Sequence, residues 1–446
     1  MKQFNNPSIL NQRCYIDGAL INASSNEFLQ LTTPLSGETL AFIPLCKIPE
    51  TRNAIEAASK ALTQWQNFSS EERSALLDHW ASLIETNEED LAILITMEQG
   101  KIFNEAVSEI AFASKIIRLY AKLAKSKDPH DFREENFIPL KNSPGVVAAI
   151  VPGDFPAAML AKMCTLTLCA GCTLVARPSI YTPYTALTLA GLAEQVGFPA
   201  GVLNIVFGYG KILDTEFTNN PSVQKILSLG PTGIEFFQKH QKEKRIISEP
   251  RKSAACVVFD DVDMDIIIKE TIASSFYNNG QNAFGPSLIM VQEGLYESFL
   301  KKFTSEAKKL RVGDSFEPDI HLGPLENKVV LESAKRQIEY AISKGANIAC
   351  GGKAHSLGGL YFEPTVLTET SSLVQTSFKP TYGPIVTLCA FKTTDEAITL
   401  MNSIKDLLAV CIYSSDTGKA SSVKNTLQCK LTAINKSLSL FSEIAS

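Results

Sequence analysis

The stretch Gly145-Val146-Val147-Ala148-Ala149-Ile150-Val151-Pro152-Gly153-Asp154-Phe155-Pro156 decides the architecture. Gly145 to Val151 is a near-continuous apolar run, the pattern of a strand buried on both faces. The chain then predicts a helix over Phe155 to Cys169, a strand over Thr173 to Ala176, a helix over Tyr184 to Val196 and a strand over Val202 to Phe207. Lys225 to Leu229 and Arg245 to Ile247 read as further strands. Buried strands separated by helices imply a parallel, doubly wound sheet. A second series begins at Ala255 to Phe259 and continues through Leu288 to Val291, Asn347 to Cys350 and Ile385 to Phe391. Two α/β domains in series is the simplest reading.

Upstream, the first third reads as mostly helical. Ser69-Ser70-Glu71-Glu72 is a capping box, in which Ser69 accepts from the backbone and Glu72 reaches back. Leu76, Leu77, Trp80, Leu83 and Ile84 follow at helical spacing. A second helix is predicted from about Asn104 to Ala124, with Ile110, Ala113, Ile117 and Tyr120 on one face. The stretch from Lys125 to Glu135 is polar, contains a Pro and reads as an excursion between elements.

With 446 residues, the chain has room for two or three domains with sizeable cores. An apolar fraction of 45% and a charged fraction of 20% are those of a soluble globular protein. A net charge of -5 argues against nucleic acid or an anionic membrane as partner. Met1 to Gln12 is polar and does not read as a signal peptide. Met159 to Ala176, the longest apolar stretch, is interrupted by Lys162 and Gly171 and reads as a buried helix followed by a strand. The ten cysteines are scattered, with no His at metal-ligand spacing. Cys164, Cys169 and Cys172 cluster where buried free thiols are common, and a reducing cytoplasm is the expected setting.

Glycine-rich segments give weak signals. Gly208-Tyr209-Gly210 lacks the third Gly of a dinucleotide fingerprint, since Leu213 stands there, and reads as a plain turn. Gly230-Pro231-Thr232-Gly233 follows a strand and precedes a helix. It is either a phosphate contact weakened by Pro231 or an ordinary helix start. His79, His130, His240, His321 and His355 are isolated and read as surface or helix residues.

A set of boxes, in order along the chain, resembles the aldehyde dehydrogenase family and is most similar to its bacterial semialdehyde dehydrogenases. Val151-Pro152-Gly153-Asp154-Phe155-Pro156 resembles a Pro-Trp-Asn-Phe-Pro box. Arg177-Pro178-Ser179 resembles a Lys-Pro-Ser/Ala box, and Gly197 to Asn204 resembles the loop after it. Glu249 falls at the Glu of Glu-Leu-Gly-Gly. Phe276-Tyr277-Asn278-Asn279-Gly280-Gln281-Asn282-Ala283 resembles the nucleophile box, and Gly383-Pro384 closes a Glu-x-Phe-Gly-Pro box. The resemblance implies an aldehyde dehydrogenase-like α/β fold of two Rossmann-like doubly wound domains plus a partial oligomerisation arm. Residues 1–124 and 143–250 would form the cofactor domain, 125–142 the arm and 251–446 the catalytic-type domain. It also implies NAD or NADP as cofactor, and a Cys that attacks the aldehyde carbon before hydride transfer and Glu-assisted hydrolysis.

Position by position, this chain departs from what that reaction needs. The nucleophile position is Ala283, whose methyl group cannot attack a carbonyl. The oxyanion position is Asp154 where the family has Asn, an acceptor carrying the same sign as the intermediate it should stabilise. Among the cofactor positions implied by the resemblance, Pro152 and Ser179 keep their boxes. Arg177 replaces Lys at the adenosine ribose, and Ile180 has no hydrogen-bonding group. Pro231 replaces Ser after Gly230, Pro380 replaces the Glu of the nicotinamide ribose, and Tyr382 replaces Phe. Glu249 keeps the base position, although Arg251 and Lys252 beside it favour an exposed ion-pair loop. Gly280 and Gln281 read as retained turn geometry. The resemblance stops short of a Pro-Phe-Gly-Gly segment, so the reading expects the closing substrate loop and last oligomerisation strands to be absent. The expectation is a family protein without aldehyde dehydrogenase activity. The alternatives are an oxidoreductase of altered chemistry using Glu249, or a non-catalytic subunit of a homo-oligomer or of an intact paralogue.

Overall fold

The computed structural model describes residues 2–125, 145–229, 246–249, 253–369, 382–405 and 407–438. Within these the chain divides into two compact units. One comprises residues 1–33, 37–99 and 103–250, and the other 34–36, 100–102 and 251–446. The excursion expected at 125–142 lies outside the described residues, apart from Lys125 at the end of a helix.

The first unit opens with short strands that periodicity does not reveal: β1 (Cys14–Ile16), β2 (Ala19–Ile21), β3 (Phe28–Thr32) and β4 (Thr39–Pro44). They add short strands to a first third that is otherwise mostly helical, as read. Four helices follow: α1 (Ile48–Asn67), α2 (Ser70–Thr86), α3 (Glu88–Gln99) and α4 (Phe103–Lys125). The capping box stands: Glu72 N–H donates to Ser69 Oγ at 3.2 Å and Ser69 N–H to Glu72 at 2.7 Å. On α2, Leu77, Trp80 and Ile84 are buried. The face of α4 carrying Ile110, Ala113, Ile117 and Tyr120 is buried as well.

Next come β5 (Val146–Ile150), α5 (Pro156–Cys169), β6 (Thr173–Arg177), α6 (Pro183–Val196), β7 (Leu203–Ile205), α7 (Gly210–Asn219), β8 (Val223–Leu229) and β9 (Ile246–Glu249). The sheet order is β2-β1-β7-β6-β5-β8-β9. Strands β5 to β9 run parallel, as their continuous apolar runs imply. The β1–β2 hairpin joins one edge antiparallel, so the sheet is mixed rather than wholly parallel.

Two buried carboxylates fix the helices that leave this sheet. Glu109 of α4 accepts from Ala157 N–H at 2.9 Å and Ala158 N–H at 3.2 Å, capping α5. Glu98 of α3 accepts from the N–H groups of Tyr184 and Thr185, capping α6. Each anion answers the unsatisfied donors and positive end of a helix N-terminus.

The second unit is built on β10 (Ser253–Val258), α8 (Met264–Phe276), β11 (Pro286–Gln292), α9 (Glu293–Ala307), α10 (Lys328–Ser343), β12 (Asn347–Cys350), β13 (Thr365–Glu369), β14 (Ile385–Phe391), α11 (Thr394–Ser403), β15 (Leu407–Tyr413), α12 (Thr417–Thr426) and β16 (Leu431–Ile434). Its sheet order is β12-β13-β14-β11-β10-β15-β16, parallel except for the edge pair β12–β13. β15 is wholly buried between β10 and β16, and is a strand the sequence reading left out.

Candidate functional site

In the first unit, the expected site residues gather at the carboxyl end of the parallel strands. Ile150 stands opposite Arg177 and opposite Ser228, and Leu229 opposite Glu249. Asp154 therefore leaves after β5, Ser179 and Ile180 leave after β6, and Glu249 is the last residue of β9. The strand order reverses between β5 and β8, where open α/β sheets form a crevice beyond their strand ends.

Pro152 is buried, and Asp154 is half-buried in the bend that Pro156 converts into α5. Ser179 is buried and its Oγ accepts from Tyr181 N–H at 3.2 Å, closing a turn. Ile180 is half-buried and packs on the apolar core of the first unit. The backbone of Glu249 ends β9, and the ion-pair loop expected beyond it falls outside the described residues. Its neighbours Arg251 and Lys252, and the Gly230–Pro231 segment, lie outside the described residues.

Arg177 behaves differently from an exposed ribose contact. Its side chain is only 2% exposed. Nε donates to Asp214 at 2.7 Å, Nη2 to the other Asp214 oxygen at 3.1 Å, and Nη1 to Pro178 O at 3.3 Å. Asp214 lies on α7, whose first residue is Gly210. A Cβ at Gly210 would stand 3.1 Å from both Arg177 Nη2 and Asp214 Oδ2, so a side chain there would press on the ion pair. Gly208-Tyr209-Gly210 is thus the lead-in to a helix built around an ion pair. Burial holds the Asp214 carboxyl above its ordinary value, against the opposing pull of the Arg177 guanidinium. The sequence reading missed Asp214; the only signal was a carboxylate on the face of α7 that also carries buried Phe217.

In the second unit, Ala283 sits half-buried in a turn between α8 and β11. Three consecutive residues before it have left-handed backbones: Asn278 at φ 54°, Asn279 at φ 57° and Gly280 at φ 69°. Asn tolerates this region better than most residues, and Gly adopts it freely. A Cβ on Gly280 would lie 2.1 Å from Gly383 O, and Gly383 N–H donates to Gly280 O at 3.1 Å. The turn reading of Gly280 is therefore correct, and a close backbone approach enforces it.

The side chains around it lock the turn. Asn279 Nδ2 donates to Pro324 O at 2.9 Å, and its Oδ1 accepts from Gly323 N–H at 2.8 Å. Asn278 Nδ2 donates to Gln281 O at 2.9 Å. Gln281 Oε1 accepts from Glu326 N–H at 3.0 Å. Asn282 Oδ1 accepts from Phe284 N–H at 2.9 Å, a local turn that carries Ala283 at its apex. Tyr382 is buried just before Gly383, and Pro380 lies outside the described residues.

The aldehyde dehydrogenase family profile matches residues 20–444. The chain belongs to the aldehyde dehydrogenase family. It is 35% identical over 443 residues to a glutarate-semialdehyde dehydrogenase of Pseudomonas aeruginosa, covering 98% of this chain and 92% of that protein. It is 34% identical over 440 residues to the NADP(+) succinate-semialdehyde dehydrogenase GabD of Escherichia coli, covering 97% and 91%. The crystal structure of an E. coli NADP-dependent enzyme superposes with a TM-score of 0.90 at 34% identity, over 98% of this chain and 92% of that one. The α/β fold is therefore that of the aldehyde dehydrogenases.

Among the described residues no group of three or more His, Cys, Asp and Glu could hold a metal ion, and no helix is long and apolar enough to cross a membrane. His321 Nδ1 accepts from Arg311 N–H and His355 Nδ1 from Leu357 N–H, both local loop contacts.

Proposed function

We propose that this aldehyde dehydrogenase family protein has lost aldehyde oxidation, and that its ancestral substrate was a short semialdehyde such as succinate or glutarate semialdehyde. The observation that carries the reading is Ala283 at the apex of the Asn278–Phe284 turn. An aldehyde carbon must become tetrahedral before it releases hydride readily, and a methyl group forms no bond to it. Loss of a nucleophile costs on the order of 10⁶ in rate in a reference enzyme.

The residues of the first unit do not fit a nicotinamide dinucleotide held in the family manner. Arg177 is sealed against Asp214, and Ile180 packs on the core. Asp154 places an acceptor where an oxyanion needs a donor. The semialdehyde reading rests on relatives named glutarate- and succinate-semialdehyde dehydrogenases.

The test is a cofactor-reduction assay with succinate and glutarate semialdehyde and either NAD or NADP, paired with calorimetric titration of both cofactors. The expected result is no reduction above the enzyme-free rate and no saturable heat. Cofactor-dependent turnover with either semialdehyde would overturn the proposal.

A further inference from the structure

The structure places two thiols, far apart in sequence, against each other at the edge of the first unit. Cys14 is the first residue of β1, and Cys46 lies between β4 and α1. Their sulfurs are 3.3 Å apart, and the residues are 0% and 1% exposed. Both backbones are anchored. Cys14 stands opposite Ile21 in the hairpin, and Cys46 N–H donates to Phe207 O at 2.7 Å. Moving two sulfurs from 3.3 Å to a disulfide bond length of about 2.05 Å needs a shift well within side-chain rotation.

The hairpin gives such a bond something to do. Among the described residues, β1 meets β7 in one register pair, Tyr15 opposite Ile205. One side-chain bond supports it, from Asp17 N–H to Asn204 Oδ1 at 2.9 Å. Cys14, Tyr15 and Ile16 are buried, so an oxidant reaches the thiols only when the hairpin leaves its sheet, and an edge element does so more readily than the central strands.

We propose that Cys14 and Cys46 are the two halves of a disulfide that pins the edge hairpin to the segment leading into α1. The oxidant class is a low-molecular-weight disulfide. When the hairpin opens, one thiol loses its proton to solvent and its thiolate attacks a sulfur of the small disulfide. The small disulfide's S–S bond breaks and one small thiolate leaves. The second protein thiol, also deprotonated, attacks the mixed disulfide and expels the other small thiol. Two protein S–H groups become one S–S bond, and one small disulfide becomes two small thiols.

Other thiols lack this arrangement. Cys256 and Cys411 are register partners on adjacent interior strands, β10 and β15, where no edge opens. Cys169 and Cys172 have Cys-x-x-Cys spacing but lie at the carboxyl end of α5. A helix N-terminus, which would activate them, is at the other end.

The test uses the full chain, equilibrated with oxidised glutathione in sub-denaturing urea, with remaining thiols alkylated and the protein digested unreduced. No Lys or Arg stands between Arg13 and Lys47, so trypsin leaves both cysteines in one peptide. A glutamate-specific protease then cuts after Glu27 and Glu38, and only a disulfide still joins the pieces. The expected result is a joined pair, with a thermal midpoint a few degrees above that of the reduced protein. Cys46→Ala abolishes both effects, and Cys14→Ala serves in its place if that variant does not fold. Recovery of Cys14 and Cys46 in separate pieces, as alkylated or glutathione-bearing thiols or joined to other cysteines, would overturn the proposal.

Discussion

The Ala283 turn and the end of β6, both expected to serve the site, hold their residues in opposite ways. Around Ala283 the supporting framework is present. Three left-handed residues, a Gly280–Gly383 contact and the amides of Asn278, Asn279, Gln281 and Asn282 hold the turn. The residue the turn presents is an alanine, whose methyl group is unreactive. At β6 a charged group is present, but Asp214 holds it in a buried bidentate pair. The first region presents a chemically silent residue on an ordered turn. The second has turned a charge inward into structure. A single substitution can reverse the first change and cannot by itself reverse the second.

Ala283→Cys probes that difference most strongly. If the two regions failed independently, the restored thiol leaves semialdehyde-dependent NAD(P)H formation at background, although the thiol itself reacts with iodoacetamide. A rise of several orders of magnitude in the cofactor-reduction assay would break the comparison, because the strand ends of the first unit would then serve a cofactor.

Asp214→Ala is the next largest effect. It leaves the Arg177 guanidinium buried and unpaired, which costs about 3–5 kcal/mol. The double substitution Arg177→Met with Asp214→Leu should recover most of that loss, because a well-packed apolar pair avoids the desolvation of both charges. Urea unfolding of the three variants measures both numbers. A single-variant loss below about 1 kcal/mol would mean that the charge is not committed to structure.

Asn279→Ala tests the other side. It removes the partners of Pro324 O and Gly323 N–H and places Ala at a left-handed backbone, costing about 2–3 kcal/mol. Asn279→Gly keeps the backbone freedom and should cost less. Equal losses by urea unfolding would show that hydrogen bonding alone holds the turn.

The smallest effect belongs to Asp261, which takes part in neither region. Burial alone would raise the Asp261 carboxyl. The Lys419 ammonium, the Ser414 hydroxyl and the N–H groups of Ser415 and Asp416 outweigh it and bring the carboxyl down to about 2. A depressed folded value means its contribution is fully present above the unfolded value near pH 4 and is lost as pH falls toward 2. The side chain is 25% exposed, so screening leaves about 1 kcal/mol. Thermal midpoints from pH 5 to pH 2 should fall less steeply in Asp261→Asn than in the wild type.

The legibility of the chain follows from local physics. The interior strands β5, β6 and β14 announce themselves because burial on both faces demands continuous apolar runs. The edge hairpin does not, since β1 and β2 have three residues each and too short a period to detect. β15 was missed although it is apolar throughout, and its place between β10 and β16 is a long-range fact. The same split holds at the site. Ala283 and Gly280 were readable because a residue's identity and a glycine at a turn are local features. Asp214 and the acidic caps Glu98 and Glu109 were not, because their partners lie across the fold.

The sequence by itself determined the family pattern, the alternating α/β framework and the absence of a sulfur at position 283, since each depends on residue identity and short-range order. Only the tertiary structure decided that Arg177 faces Asp214, that Gly280 meets Gly383, and that Cys14 lies beside Cys46. Those pairings join residues tens to a hundred positions apart. Burial fixes them by removing the water that would otherwise separate their partners.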